Sequence, residues 1–86
     1  MPLISTFFGI AIYMYFDDHA PPHFHAKYGG DQVLIDIREL RIIAGKTSPR
    51  ALGLIIEWAN LHQKELLENW YRGEKYESFH KIDPLS

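Results

Sequence analysis

The sequence predicts an α+β domain: a small antiparallel sheet of three or four strands packed against one long C-terminal helix, followed by an extended tail. Three observations predict it. Residues Gly9 to Phe16 alternate Ile10, Ile12, Met14 and Phe16 against Ala11, Tyr13 and Tyr15, the period of two that a pleated strand requires. Gly29-Gly30 separates two runs rich in aromatic and β-branched residues, the mark of a tight hairpin whose central positions need φ > 0. From Ser48-Pro49 to about Arg72 nothing interrupts a helix.

Met1 to Thr6 reads as a short lead-in and Gly9 to Phe16 as a central strand, because both of its faces are largely apolar. Asp17 to Pro22 is a loop, stiffened by Pro21-Pro22 before the chain enters the hairpin at His23. A two-residue turn at Gly29-Gly30 sets Tyr28 opposite Asp31, Ala26 opposite Val33, Phe24 opposite Ile35 and His23 opposite Asp36. One hairpin face then holds Phe24, Ala26, Val33, Ile35 and Ile37, and the other holds His23, His25, Lys27, Gln32, Leu34 and Asp36. A one-residue slip would destroy that separation. Arg38-Glu39 reads as a turn into a short strand from Leu40 to Ile43, and Gly45 to Thr47 as a loop.

Ser48 is placed to accept from the first orphan amides of the helix, with Pro49 at the first helical position and Gly73 where a C-cap would stand. Leu52, Ile55, Ile56, Ala59, Leu66, Leu67 and Trp70 share one stripe, which should face the sheet. Gln63 falls within that stripe and needs a hydrogen-bond partner there. Leu54, Trp58 and Leu61 form a second apolar patch, expected to be an interface with a protein partner or a second copy of the chain, with cover by the tail, Glu74 to Ser86, as the alternative.

The chain has 86 residues, enough for a single domain, 1-86, near the small end of what folds alone. Its hydrophobic content of 47% is enough for a core and argues against a disordered chain. The absence of cysteine excludes disulfides and thiolate metal sites. A net charge of −2 and a pI near 6.2 argue against tight non-specific binding to nucleic acid, though a local basic cluster remains compatible with RNA. The apolar run Phe7 to Phe16 is shorter than a membrane span and lacks a basic leader, so a cytoplasmic protein without membrane contact is expected.

Asp17-Asp18-His19-Ala20-Pro21-Pro22-His23-Phe24-His25 packs two carboxylates and three of the five histidines into nine positions. Three chemistries fit. A histidine oriented by a carboxylate can carry acid–base catalysis, with His23, His25, Asp36, His19 and Asp18 as candidates and Lys27, Arg38 and Lys46 as candidates to hold a phosphate. Two imidazoles at i and i+2 with a carboxylate could instead ligate a metal. No bound metal or other cofactor is expected, because only His23 and His25 are securely on one face. The third alternative is an ordinary cross-strand pair between His23 and Asp36 on an exposed face, stabilising by about 0.2–1 kcal/mol.

Phe7-Phe8-Gly9-Ile10, Met14-Tyr15, Asp17-Asp18-His19, Pro21-Pro22-His23-Phe24-His25, Ile35-Asp36-Ile37, Glu57-Trp58-Ala59, Glu65-Leu66-Leu67-Glu68-Asn69-Trp70 and the tail Lys81-Ile82-Asp83-Pro84-Leu85 resemble a bacterial family, domain of unknown function 4160. The resemblance covers essentially the whole chain and implies a small protein encoded beside a member of domain of unknown function 2442, a pairing suspected to form toxin–antitoxin modules. The function expected is therefore the toxin of such a pair, acting on RNA through the His/Asp hairpin. The alternatives are a non-catalytic protein-binding module (an antitoxin or operon partner) and a metal-dependent hydrolase or metal-binding domain. The resemblance supplies no catalytic residues.

Overall fold

The structure, a computed structural model, describes residues 2–86. Five antiparallel strands follow one another in space as they do in sequence: β1 (Leu3–Phe7), β2 (Ile10–Tyr13), β3 (His23–Tyr28), β4 (Asp31–Asp36) and β5 (Ile42–Lys46). Two helices cover one face of the sheet, α1 (Pro49–Leu61) and α2 (Gln63–Glu74), and the remaining tail carries no regular structure. The expectation of three or four strands and one long helix is therefore wrong in both counts, for three separate physical reasons.

The first concerns residues 3–7, read above as a lead-in. They pair with β2 through a two-residue turn at Phe8-Gly9, where both φ angles are positive, 49° and 79°. That is the backbone of a hairpin turn that follows strand twist, but Phe is not a turn residue, so the sequence hides it. The second concerns the short strand expected at Leu40 to Ile43, which instead runs Ile42–Lys46 and includes Gly45. Gly45 has φ of 81°, and a Cβ there would sit 2.1 Å from the Gln32 carbonyl oxygen. The residue read as loop is the one that lets β5 lie against β4.

The third is the helix break at His62, whose φ of −124° and ψ of 23° leave the helical region. A straight helix from Pro49 to Glu74 would run about 39 Å, longer than the 34 Å maximum extent of the molecule. The break re-aims α2 along the sheet. Glu65 stands at the start of the new helix, where negative charge is favoured, and accepts a 2.6 Å hydrogen bond from His62 Nδ1. Ser48 caps α1 as expected, accepting from the Ala51 amide. Gly73 does not end the helix; it lies inside α2, with the Phe79 ring where a Cβ would go.

The hairpin register is as read from the sequence, from Tyr28 opposite Asp31 through to His23 opposite Asp36. Ile4, Phe7, Ile10, Ile12, Phe24, Ala26, Val33 and Ile35 point to the helices and meet Ala51, Ile55, Trp58, Ala59, Leu66 and Trp70 in a single core. Gln63 finds its partners in the carbonyls of Ile37 and Arg38, at 2.7 and 3.0 Å.

Trp58 is fully buried. It packs against Phe7 and, edge-on, against Phe24, and its indole N–H donates to the Asp83 carbonyl at 2.8 Å. The tail therefore covers the indole, and the reason for expecting an interface at Trp58 disappears. Leu54 is half-buried at the mouth of a cavity of about 240 Å³ shared with Phe8, Tyr28, Arg50 and Ala51, and Leu61 stays exposed.

Buried Asn69 ties the tail down at a second point. Its amide donates to the His80 carbonyl and its carbonyl accepts from the His80 N–H, at 2.8 and 2.9 Å. Asn69→Ala would strand both tail groups, so it should lower unfolding stability by about 1–3 kcal/mol in denaturant melts. Asn69→Asp, which sets a buried carboxylate oxygen against the His80 carbonyl, should cost at least as much. A silent Asn69→Ala would mean that the tail is held by Ile82 and Trp58 alone.

Candidate functional site

The segment before β3 is built to bring a carboxylate back onto the strand. The Asp17 amide donates to the Gly73 carbonyl at the end of α2, which pins the loop. Asp17 has φ of 49°, a left-handed conformation that Asp tolerates better than most side chains. The next residue, Asp18, turns inward. Its Oδ1 accepts from the His19 amide at 2.9 Å, and its Oδ2 lies 3.1 Å from His23 Nε2 and 3.0 Å from His25 Nε2. Downstream, the Ile37 amide donates to the carbonyl of buried Pro22 and closes the entry to β3.

The two imidazoles have different outer partners, and these fix their protons. His23 Nδ1–H donates to the Pro21 carbonyl at 2.8 Å, because a carbonyl can only accept. His25 Nδ1 accepts a long 3.4 Å bond from the Gln32 side-chain amide, which leaves Nε2–H to donate to Asp18. The rings stand 5.2 Å apart. Trp70 covers His23 at 5.2 Å, and Tyr15 stands edge-on to His25 at 4.6 Å. The three side chains are largely shielded, His23 most of all at 6% exposed and Asp18 least at 19%.

The sequence-derived site is thus rearranged. His23 and Asp36 are opposed on the two strands as expected, but their side chains are not paired. Asp36 Oδ1 accepts from the Arg38 and Glu39 amides and shapes the turn that follows β4. His23 is buried rather than exposed, since Trp70 reaches across the end of the sheet to cover it. The carboxylate it meets comes from the loop, from Asp18. His19 contributes its amide to Asp18 while lying exposed itself.

Lys27 sits two residues along from His25 on the same face, with its ammonium 4.8 Å from the centre of the Tyr13 ring. Lys46 lies in the same cross-strand row, Lys27–Gln32–Lys46. Arg38 is away from that row and donates to the Tyr71 hydroxyl at 2.7 Å. Sequence reasoning missed Gln32, Tyr15, Trp70 and the Pro21 carbonyl as parts of the site. The register puts Gln32 one step diagonally from His25, so that residue was within reach of the sequence. Trp70 and Tyr15 were not, because no local pattern ties them to β3.

Burial alone would raise the Asp18 pKa, but the hydrogen bonds from His25 and the His19 amide, with the nearby charges of His23 and His25, outweigh it and hold the carboxyl below its ordinary value of 3.8. A carboxyl lowered in the folded state stabilises the fold above its unfolded pKa, and that contribution is lost as pH falls through the lowered value. Asp18→Asn should therefore melt below the wild type at about pH 5, and the difference should close below about pH 3. Thermal melts across that range check it, and a gap that persists in acid would assign the loss to packing.

Comparison with known proteins adds one finding. No curated protein and no solved structure matches the chain. A family model described as Domain of unknown function (DUF4160) matches residues 9–71, a span that holds Asp18, His23, His25, Lys27 and both helices nearly to their end, but stops short of the tail that the resemblance included. The chain belongs to the family described as Domain of unknown function (DUF4160).

Proposed function

We propose that Asp18, His23 and His25 are the working centre of a protein that acts on the phosphodiester backbone of single-stranded RNA, as the toxic member of a pair with a neighbouring gene's product. The observation that supports this best is the composition of the helix-free sheet face next to the centre. Directly opposed residues share a face, so Thr6, Ala11, Lys27, Gln32 and Lys46 make one row, and Tyr13, His25, Leu34 and Ala44 make the next. Two cations lie in these rows and no carboxylate does, in a chain whose net charge is −2. Lys27 stands about 7 Å along the strand from His25, and Lys46 about 10 Å from Lys27 across two strand spacings, a spread that reaches more than one phosphate of an extended strand. Tyr13 offers a ring on the same face, where a base can stack.

Division of labour follows from position. Lys27 and Lys46 hold phosphate, Gln32 positions His25, and Asp18 fixes the orientation of both imidazoles. Arg38, tied to Tyr71 on the far side of the turn, takes no part. The second copy or partner expected from the sequence remains part of the proposal only as the neighbouring product that would neutralise the toxin.

Inducible expression of the chain alone and with its neighbouring gene tests this. Growth arrest with loss of intact cellular RNA, relieved by the neighbour, is the expected result. His25→Ala should abolish the arrest. Lys27→Ala with Lys46→Ala should weaken it and reduce RNA binding most at low salt, with little change in melting temperature. Growth unaffected by the chain alone would leave a non-catalytic binding module as the better account.

A further inference from the structure

We propose that Asp18, His23 and His25 bind a single divalent transition-metal ion of the zinc class through Asp18 Oδ2, His23 Nε2 and His25 Nε2. This deepens the reading above and rests on it only in taking these three side chains as the working centre. The first ground is a polarity conflict. His23 gives its Nδ1 proton to the Pro21 carbonyl, so in the neutral imidazole Nε2 is a lone pair. That lone pair faces a carboxylate oxygen 3.1 Å away, with the His23 side chain 6% and the Asp18 side chain 19% exposed. Two acceptors at that distance require a positive centre between them, either a second proton on His23 or a cation.

The second ground is geometry. The three ligand atoms all lie within 4.8 Å of one another, with both O···N separations near 3 Å. Zinc at about 2.0–2.2 Å from N and O ligands separates neighbouring ligand atoms by roughly 3.3 Å in a tetrahedron. The two O···N separations need to open by a few tenths of an ångström, and the two imidazole nitrogens, which lie within 4.8 Å, need to settle at about the same 3.3 Å through small ring rotations, for the ion to be admitted. Three protein ligands leave a fourth position for water or substrate, the pattern of a reactive rather than a closed structural site.

The third ground is the set of contacts behind the ligands, where metal sites fix the far nitrogen of each histidine with a carbonyl or carboxylate. His23 Nδ1–H already has the Pro21 carbonyl. With Nε2 on the metal, His25 carries its proton on Nδ1 and donates it to Gln32 once that amide turns its oxygen inward, a rotation that leaves its shape unchanged. Asp18 Oδ1 is held by the His19 amide, leaving Oδ2 to bind. The sequence alone gave a reason to expect no metal, since the carboxylates depended on an unregistered loop. The loop conformation removes that reason.

The full chain, stripped with chelator, would be titrated with zinc sulfate by calorimetry and with cobalt chloride by visible absorption. One equivalent of zinc should bind, raise the melting temperature and be weakened at least tenfold by His25→Ala or Asp18→Asn. Cobalt should give the intense visible bands of a four-coordinate site. Long-range nitrogen–proton spectra of the wild type should show both His23 and His25 Nε2 resonances moving on zinc addition, which needs no variant and so survives if one fails to fold. No saturable binding, or binding that leaves those resonances in place, would overturn the proposal and assign the positive centre to a proton on His23. Zinc binding without any effect on growth or RNA would overturn the RNA reading and keep the metal site.

Discussion

The burial of Trp58 is the constraint on which the remaining structure depends. An indole buried on all sides must satisfy its N–H. The Asp83 carbonyl does, which obliges the tail to return across the helices to within 2.8 Å of the ring. Ile82 follows into the core and donates its amide to the Ile4 carbonyl, so the tail and β1 are held together at the edge of the sheet. One side chain on α1 thus links the first strand, the hairpin and the last residues of the chain.

The same economy of contacts builds the centre. The helix break at His62 turns α2 so that Trp70 reaches the start of β3, and the carbonyl of Gly73 receives the amide of Asp17. α2 therefore sets both the lid over His23 and the anchor of the loop that supplies Asp18. A polar cluster this well covered is stable only when each member is paired. Here each imidazole has an outer partner, His25 donates to Asp18 and the other carboxylate oxygen takes a backbone amide, so that only the contact between His23 Nε2 and Asp18 calls for a proton or a cation.

The division between the two sheet faces separates stability from chemistry. The inner face buries aliphatic and aromatic side chains under the helices, where truncation leaves cavities. The outer face carries His25, Lys27, Gln32 and Lys46 on rigid strands, a better platform for fixed side chains than a loop. Asp18 alone comes from a loop, and that loop is tied at both ends by backbone hydrogen bonds.

What the sequence by itself determined was local. The Gly29-Gly30 register, the Ser48-Pro49 helix start and the need of Gln63 for a partner all follow from period, turn chemistry and capping, which act over a few residues. Where the local signal was weak the reading failed: Phe8 occupies a left-handed turn position that residue type does not announce, and Gly45 sits in a strand because of a close backbone approach from β4. The clustered Asp17-to-His25 segment was legible as chemistry-bearing, but not the choice of Asp18 over Asp36 as the carboxylate that meets the histidines. That choice, the burial of His23 and the covering of Trp58 were decided only by tertiary structure. They depend on where α2 and the tail come to rest, and those positions are set by packing between residues tens of positions apart.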